Sequence, residues 1–268
     1  MLVSTRTALL ALTAVPLLGA GAAQADHTVN FVGLTDTGML VMMDNKQAAI
    51  TRAVEITGAG GDVLGIDVRP ADGKLYAVAS DNMIYTIDPE TGVATAVSEM
   101  SETFPTGMPT TVDFNPAADA LRLMSADGTN FRVNADTGAV TLDGDHAFAS
   151  GDMHAGEQPM IVAGSYINSR GKPETTALYT IDSTIDGLIQ QVPPNDGTLS
   201  AIGKLGIAVE PTVAFEIETS PTGLNTAYLV SDGTVYTVDI ESGEATELAE
   251  IVGMDDTILD IAALPDGM

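Results

Sequence analysis

The sequence repeats one short hairpin-like pattern along most of its length. The clearest copies are YTIDPETGVATAV (85–97), FRVNADTGAVTL (131–142) and YTVDIESGEATEL (236–248). In each copy, alternating or β-branched residues flank a turn that contains Asp, Asn or Gly, a pattern typical of two antiparallel strands. We therefore expect a repeat fold, in which each copy is one structural unit packed against its neighbours.

The spacing of the copies predicts a β-propeller. When the copies are aligned on the residue that opens each turn, successive copies lie 44, 46, 48 and 57 residues apart. A period of about 40–50 residues with four strand-like segments is typical of a propeller blade. The fourth unit is irregular, because segment 184–197 reads as an insertion whose polar part, 190–197, would protrude. The aligned turn residues are Asp44, Asp88, Asn134, Asp182 and Asp239.

The first unit has only three strand-like segments, and the missing one lies near the other end of the chain. TILDIAALPDG (257–267) matches VLGIDVRPADG (63–73), which begins the second unit. The sequence thus predicts an all-β fold, a five-bladed β-propeller closed by pairing the C-terminal strand with the N-terminal blade, which hides two sheet edges. A β-sandwich or an open β-solenoid is the alternative. A sixth turn copy is not found, which disfavours a six-bladed ring.

The first 25 residues have the features of a secretory signal peptide. Arg6 precedes the apolar run 8–22, and AQA at 23–25 supplies small residues for cleavage. This predicts a signal peptide over residues 1–25 and a single propeller domain over 26–268. The apolar run is shorter than the roughly 20 residues of a membrane span. We expect an exported protein, periplasmic or extracellular, without a membrane span.

The composition restricts the partners of the chain. Its formal net charge is −27, and it contains no cysteine. Such an acidic chain repels phosphate backbones, so a nucleic-acid partner is excluded, whereas cations and basic surfaces are attracted. High solubility in salt explains the charge equally well. The expected partner is a protein, a glycan or a small-molecule ligand.

Acidic residues recur at one position of the innermost strand-like segments. A closed propeller would bring them around the central axis, where their oxygens could bind calcium, which takes about six to eight oxygen ligands. The alternative is a structural role, in which each acid accepts hydrogen bonds from the next blade or faces channel water. In the fourth unit, Ser165 or a neighbour takes this position. The four acids are Asp67, Asp113, Glu216 and Asp260.

A second candidate metal site lies in the least repeat-like segment, 142–160. Its carboxylates suit calcium, whereas histidine together with methionine suits copper. The spacing fits neither an EF-hand loop nor a zinc-binding pattern, and a solvated connecting loop is the alternative. The candidate ligands are Asp143, Asp145, His146, Asp152, His154 and Glu157, with Met153 and Met160 added for copper.

Three segments also resemble a known family. GIDVRPADGKLYAV (65–78), VDFNPAADALRLMSADGTNFRVNADTG (112–138) and YTIDSTIDGLIQQVPPNDGTLSAIGKLG (179–206) resemble a bacterial family catalogued as domain of unknown function number 4394. The resemblance covers roughly residues 29–264. It implies an exported, propeller-like domain, and it implies no activity and no catalytic residues.

The sequence favours a binding role over catalysis. A nucleophilic mechanism has little support, because the chain has no cysteine, no G-x-S-x-G motif and only three histidines. We expect a non-catalytic binding or scaffolding module that calcium stabilises. The alternatives are a metal-dependent propeller hydrolase or lyase and a periplasmic copper-binding protein. A propeller fold accommodates all three functions, so the fold alone does not choose among them.

Overall fold

The computed structural model describes residues 28–265, and within that range β-strands form five separate sheets. The predicted signal peptide lies outside the described residues. Blade 1 contains β1 (Asn30–Thr35), β2 (Met39–Asp44) and β3 (Arg52–Glu55). Blade 2 contains β4 (Val63–Val68), β5 (Leu75–Ala79), β6 (Met83–Ile87) and β7 (Ala94–Glu99). Blade 3 contains β8 (Thr110–Asn115), β9 (Ala120–Ser125), β10 (Asn130–Val133) and β11 (Val140–Leu142).

The remaining strands form blades 4 and 5 and complete blade 1. Blade 4 contains β12 (Ala147–Phe148), β13 (Ile161–Tyr166), β14 (Leu178–Asp182), β15 (Gly187–Gln191) and β16 (Thr198–Lys204), with one 3-10 turn at Pro194–Asp196. Blade 5 contains β17 (Ala214–Thr219), β18 (Asn225–Ser231), β19 (Thr234–Val238) and β20 (Ala245–Glu250). The last strand is β21 (Ile258–Ala263). Among the described residues, no helix is long and apolar enough to cross a membrane.

The ring closes through β21. This strand pairs antiparallel with β1, so that Val32 faces Ala262 and Leu34 faces Asp260, and it becomes the innermost strand of blade 1. The five innermost strands then contact one another in a circle, in the order β21, β4, β8, β13, β17 and back to β21. The prediction of an all-β, five-bladed propeller closed by the C-terminal strand is confirmed.

The hydrophobic core is divided among the spaces between blades. Each blade alternates its side chains between two faces, and both faces of a blade are covered by its neighbours. Five clusters of buried apolar side chains result, one between each pair of adjacent blades. Typical members are Leu75, Leu121, Met124, Leu229 and Phe31.

The repeated turn explains why its glycine is needed. Asn134 opens the turn of blade 3, and its Oδ1 accepts hydrogen bonds from the backbone N–H groups of Asp136 and Thr137. Gly138 follows with φ of 71°, and a side chain there would collide with the carbonyl oxygen of Glu99 in blade 2. The turn glycine therefore allows the backbones of two blades to meet.

Blade 4 corrects one sequence prediction. Asp182 was aligned with residues that follow a third strand, but it ends β14, which is the second strand from the axis. The third strand is β15, inside segment 184–197, which the sequence suggested was an insertion. The polar part does not simply protrude, because Gln191 is fully buried and Asn195 accepts a 2.8 Å hydrogen bond from Arg122.

Candidate functional site

The recurring acids of the innermost strands connect neighbouring blades. The Oδ2 atom of Asp67 in β4 accepts a 2.6 Å hydrogen bond from the backbone N–H of Phe114 in β8. One blade further on, Oδ1 of Asp113 accepts a 3.0 Å bond from the N–H of Tyr166 in β13. Each carboxylate thus satisfies a backbone donor of the next blade, as the structural alternative predicted.

The same relationship continues around the rest of the ring. In blade 4 the position is held by Ser165, whose Oγ accepts a 3.0 Å bond from the N–H of Ile217 and lies 3.2 Å from Oε2 of Glu216. Glu216 in turn accepts a bond from the backbone of Ala263. Asp260 completes the circle, because its Oδ2 accepts a 2.9 Å bond from the N–H of Ile66 in blade 2.

Three of the four ring acids converge on the axis. Asp67, Asp113 and Glu216 each offer a carboxylate oxygen, and these three oxygens lie within 4.8 Å of one another. All three residues are buried, with exposed fractions of 5–6%. We call these three residues the axial triad. Asp260, the fourth predicted ligand, is also buried but lies outside this group.

Burial makes the charged form of these carboxyls unfavourable. It raises the pKa of Asp67 and of Asp113 well above the ordinary range, and neighbouring carboxylates raise both pKa values further. Burial also raises the pKa of Glu216 to about 7 and that of Asp260 well above its usual value. At neutral pH these carboxyl groups are therefore more stable when they keep their protons or when a cation is bound beside them.

A cavity of about 230 Å³ leads to the axial triad. It lies where the innermost strands end, and its wall also contains Ser169, Arg170, Glu218 and Thr219. Nε of Arg170 donates a 2.8 Å hydrogen bond to the carbonyl of Thr219. None of these residues was predicted from the sequence, although Glu218 carries a signal, because it follows Glu216 by two positions and so shares its strand face.

The donor set of the triad fits a hard cation. Carboxylate oxygens are the ligands that calcium prefers, and three carboxylates leave coordination positions that a ligand or water in the cavity could fill. The backbone N–H bonds to Asp67 and Asp113 would hold the ligating groups in place, as outer-shell hydrogen bonds do in metal sites.

Two carboxylates of the 142–160 segment, those of Asp143 and Asp152, are engaged by protein groups. Asp143 is 2.7 Å from the Nη1 atom of Arg122 and 2.9 Å from Nη2 of Arg132. Asp152 accepts hydrogen bonds from the N–H groups of His154 and Ala201. Asp143 and Asp152 thus stabilise the junction of this segment with blades 3 and 4.

The two histidines of this segment have different surroundings. His146 is buried, and burial together with the charge of Arg122 lowers its pKa to about 4. Nδ1 of His154 lies 2.9 Å from Oε2 of Glu157, and Met153 is exposed.

Within residues 28–265, the axial triad is the only group of three His, Cys, Asp or Glu ligands that could hold a metal. The candidates of the 142–160 segment, including Asp145, form no such group, and Met160 packs against the core between blades 4 and 5. Calcium or copper binding by this segment stays a prediction.

Solved structures share the fold at low sequence identity. A chain from a crystal structure of a nidogen/laminin complex matches with a TM-score of 0.51 and 11% identity, over 90% of this chain and 100% of that chain. A structural genomics protein of unknown function from Bacteroides thetaiotaomicron VPI-5482 matches with a TM-score of 0.52 and 15% identity, over 89% of this chain and 65% of that chain. At such identities the likeness shows the fold alone.

Sequence comparison with families gives a more specific result. No curated protein matches the chain. The family described as "Domain of unknown function (DUF4394)" matches residues 39–262, which span all five blades. The resemblance seen in the sequence is thereby confirmed, and the chain belongs to this family.

Proposed function

We propose that this protein is an exported, non-catalytic binding or scaffolding propeller whose axis is stabilised by a calcium ion held by Asp67, Asp113 and Glu216. The observation that carries the proposal is the convergence of three buried carboxylate oxygens within 4.8 Å of one another. The neighbouring cavity of about 230 Å³ offers a ligand direct access to them. Export rests on the signal-peptide pattern of residues 1–25.

The charge balance of the axis supports a cation there. Ionising all three buried carboxyl groups is unfavourable in free energy, because each carboxylate loses its hydration and repels the other two. A divalent cation would supply the missing positive charge and would compete with the protons that the raised pKa values retain. Among the residues that line the cavity, Arg170 is the one cationic side chain, and Glu218 lies beside it.

The test is thermal unfolding of chelator-treated protein with added calcium. Calcium at about 100 times its Kd should stabilise the fold by about 2.7 kcal/mol, which raises Tm by roughly 5–10 °C for a domain of this size. Magnesium should act more weakly, because it tolerates only near-octahedral geometry. Glu216→Gln should abolish the calcium-dependent shift.

Glu218→Gln is the matched control. Glu218 lies on the same strand as Glu216 and lines the same cavity, but it is not part of the axial triad. The substitution removes the same charge as Glu216→Gln does. The variant should keep the calcium-dependent rise in Tm. An absent shift in the parent protein, or an equal loss in both variants, would contradict the proposed axial site.

A second candidate, a metal-dependent hydrolase or lyase, would use the same place. It is favoured by one observation, that the triad lines an open cavity in which a substrate could reach a bound metal. Calcium-loaded protein would be screened against lactones, phosphoesters and polysaccharides. Turnover that Glu216→Gln removes and Glu218→Gln retains would replace the non-catalytic proposal with this one.

A further inference from the structure

A second and larger cavity, of about 760 Å³, lies at the other end of the propeller axis. Its wall includes Leu64 of β4, Thr110 of β8, Val162 of β13, Val213 just before β17 and Leu259 of β21. These residues stand where the innermost strands begin, whereas the cavity of the axial triad lies where those strands end. All five blades therefore contribute to this opposite cavity, which we call the distal bowl.

The distal bowl has an apolar bottom and a polar rim. Val162 and Val213 are buried and Leu64 and Leu259 are half-buried, so aliphatic groups form its depth. The exposed residues around it include hydroxyls and the carboxylates of Asp36 and Asp62. A few placed polar groups around an apolar floor are typical of small-molecule sites in this size range.

The charges of the rim have one sign. Asp36 and Asp62 line the bowl, and neither Lys nor Arg is among its lining residues. A smaller cavity of about 420 Å³ shares Thr212 with the bowl and adds further carboxylates, again without Lys or Arg in its lining. The added acids are Glu210, Asp232, Asp255 and Asp256. This local field attracts cations and repels anions.

We infer that the distal bowl binds a small primary amine that carries an apolar body. The ammonium group would lie at the rim beside Asp36 and Asp62, and the apolar body would cover the aliphatic floor. Oδ1 of Asp36 accepts a 3.2 Å hydrogen bond from the N–H of Thr257, which orients this carboxylate at the rim. The inference does not require the axial cation, because the two cavities lie at opposite ends of the inner strands.

A series of four probes tests the inference by titration calorimetry in the presence of a chelator. The probes are 2-phenylethylamine, its neutral N-acetyl derivative, 3-phenylpropanoate and methylamine. We expect 2-phenylethylamine to bind about two- to fivefold more tightly than its N-acetyl derivative, because one exposed ion pair contributes up to about fivefold in affinity. Methylamine, which lacks the apolar body, and the anion 3-phenylpropanoate should bind more weakly still.

Two double variants separate a specific site from general attraction to an acidic protein. Asp36→Asn with Asp62→Asn should weaken the binding of 2-phenylethylamine about two- to fivefold. Glu241→Gln with Glu244→Gln removes the same charge from an exposed turn of blade 5, outside the bowl, and should leave the affinity unchanged. Equal effects of both double variants, or equal affinities of the amine and the carboxylate, would overturn the inference. Calcium binding at the axial triad is measured separately, so either site can fail alone.

Discussion

Asp67 accepts a 2.6 Å hydrogen bond from the backbone N–H of Phe114, although the two residues belong to neighbouring blades and are 47 positions apart. The carboxylate therefore ties two innermost strands together, and the same group offers an oxygen to the axial triad. The structural role and the proposed ligand role use different lone pairs, so one side chain can serve both.

The raised pKa of Glu216 predicts how the stability of cation-free protein depends on pH. Its pKa rises from the ordinary value of 4.5 to about 7 in the folded protein, so the folded state holds an extra proton between these values. Stability from this group is complete below pH 4.5 and is lost as the pH rises through about 7. Urea midpoints measured with chelator should fall over this interval. Glu216→Gln should reduce this decrease of the urea midpoint with pH. An equal decrease in the variant and the parent protein would contradict the prediction.

His146 predicts an opposite dependence at lower pH. Burial lowers its pKa from 6.5 to about 4, so the unfolded chain binds a proton in this interval and the folded chain does not. The folded protein should therefore lose stability as the pH falls from 6.5 towards 4. His146→Leu should remove this part of the loss, since Nε2 has no hydrogen-bond partner within the described residues. The urea midpoints of the parent protein and of His146→Leu are compared at pH 6.5 and pH 4. If the substitution changes the midpoint equally at both pH values, the prediction is contradicted.

Two arginines that share one carboxylate should differ sharply in their effect on stability. The side chain of Arg122 is 1% exposed and also bonds Asn130 and Asn195, so Arg122→Met leaves several buried groups unpaired. We expect a loss of about 3–5 kcal/mol in the free energy of unfolding. Arg132→Met serves as the control, because Arg132 is 35% exposed and should cost under about 1 kcal/mol. Urea unfolding measures both losses, and similar free energies of unfolding for Arg122→Met and Arg132→Met would contradict the prediction.

Two glycines with the same backbone conformation test the contact between turns and blades. Gly138 and Gly233 have φ values of 71° and 70°, but only Gly138 has another blade's backbone where a side chain would be. Gly233→Ala should cost about 1–2 kcal/mol from conformation alone. Gly138→Ala should cost at least about 2 kcal/mol more, because the blades must move apart. Equal melting temperatures of the two variants would show that the contact is unimportant.

The sequence was informative where local chemistry repeats. The hairpin expected at 85–97 is formed by β6 and β7 of blade 2, because alternation and Asx turns are encoded within each hairpin. The match between 257–267 and 63–73 identified the closing strand. No local signal links this strand to β1, its partner near the other end of the chain, so only the repeated segment reveals the pairing.

Other features depend on the assembled ring and could not be predicted. Asp182 follows a segment that alternates like the third strands of the other blades, although this segment, β14, is the second strand of blade 4. The true third strand, β15, was therefore taken for part of an insertion. Asp143 was grouped with other candidate metal ligands of its segment, yet β9 and β10 present two arginines to it. The sequence led us to expect all four ring acids around the axis, whereas the separation of Asp260 from the other three depends on how the five inner strands meet.

The pairing of β21 with β1 also sets an order for folding. Among the described strands, blade 1 contains the first three and the last, so its sheet stays incomplete until residues 258–263 pair with β1. Until then the nascent chain carries an uncovered strand edge on β1, a surface on which chains readily associate. Because this contact joins residues far apart in the chain, closing the circle should be a slow, late step of folding.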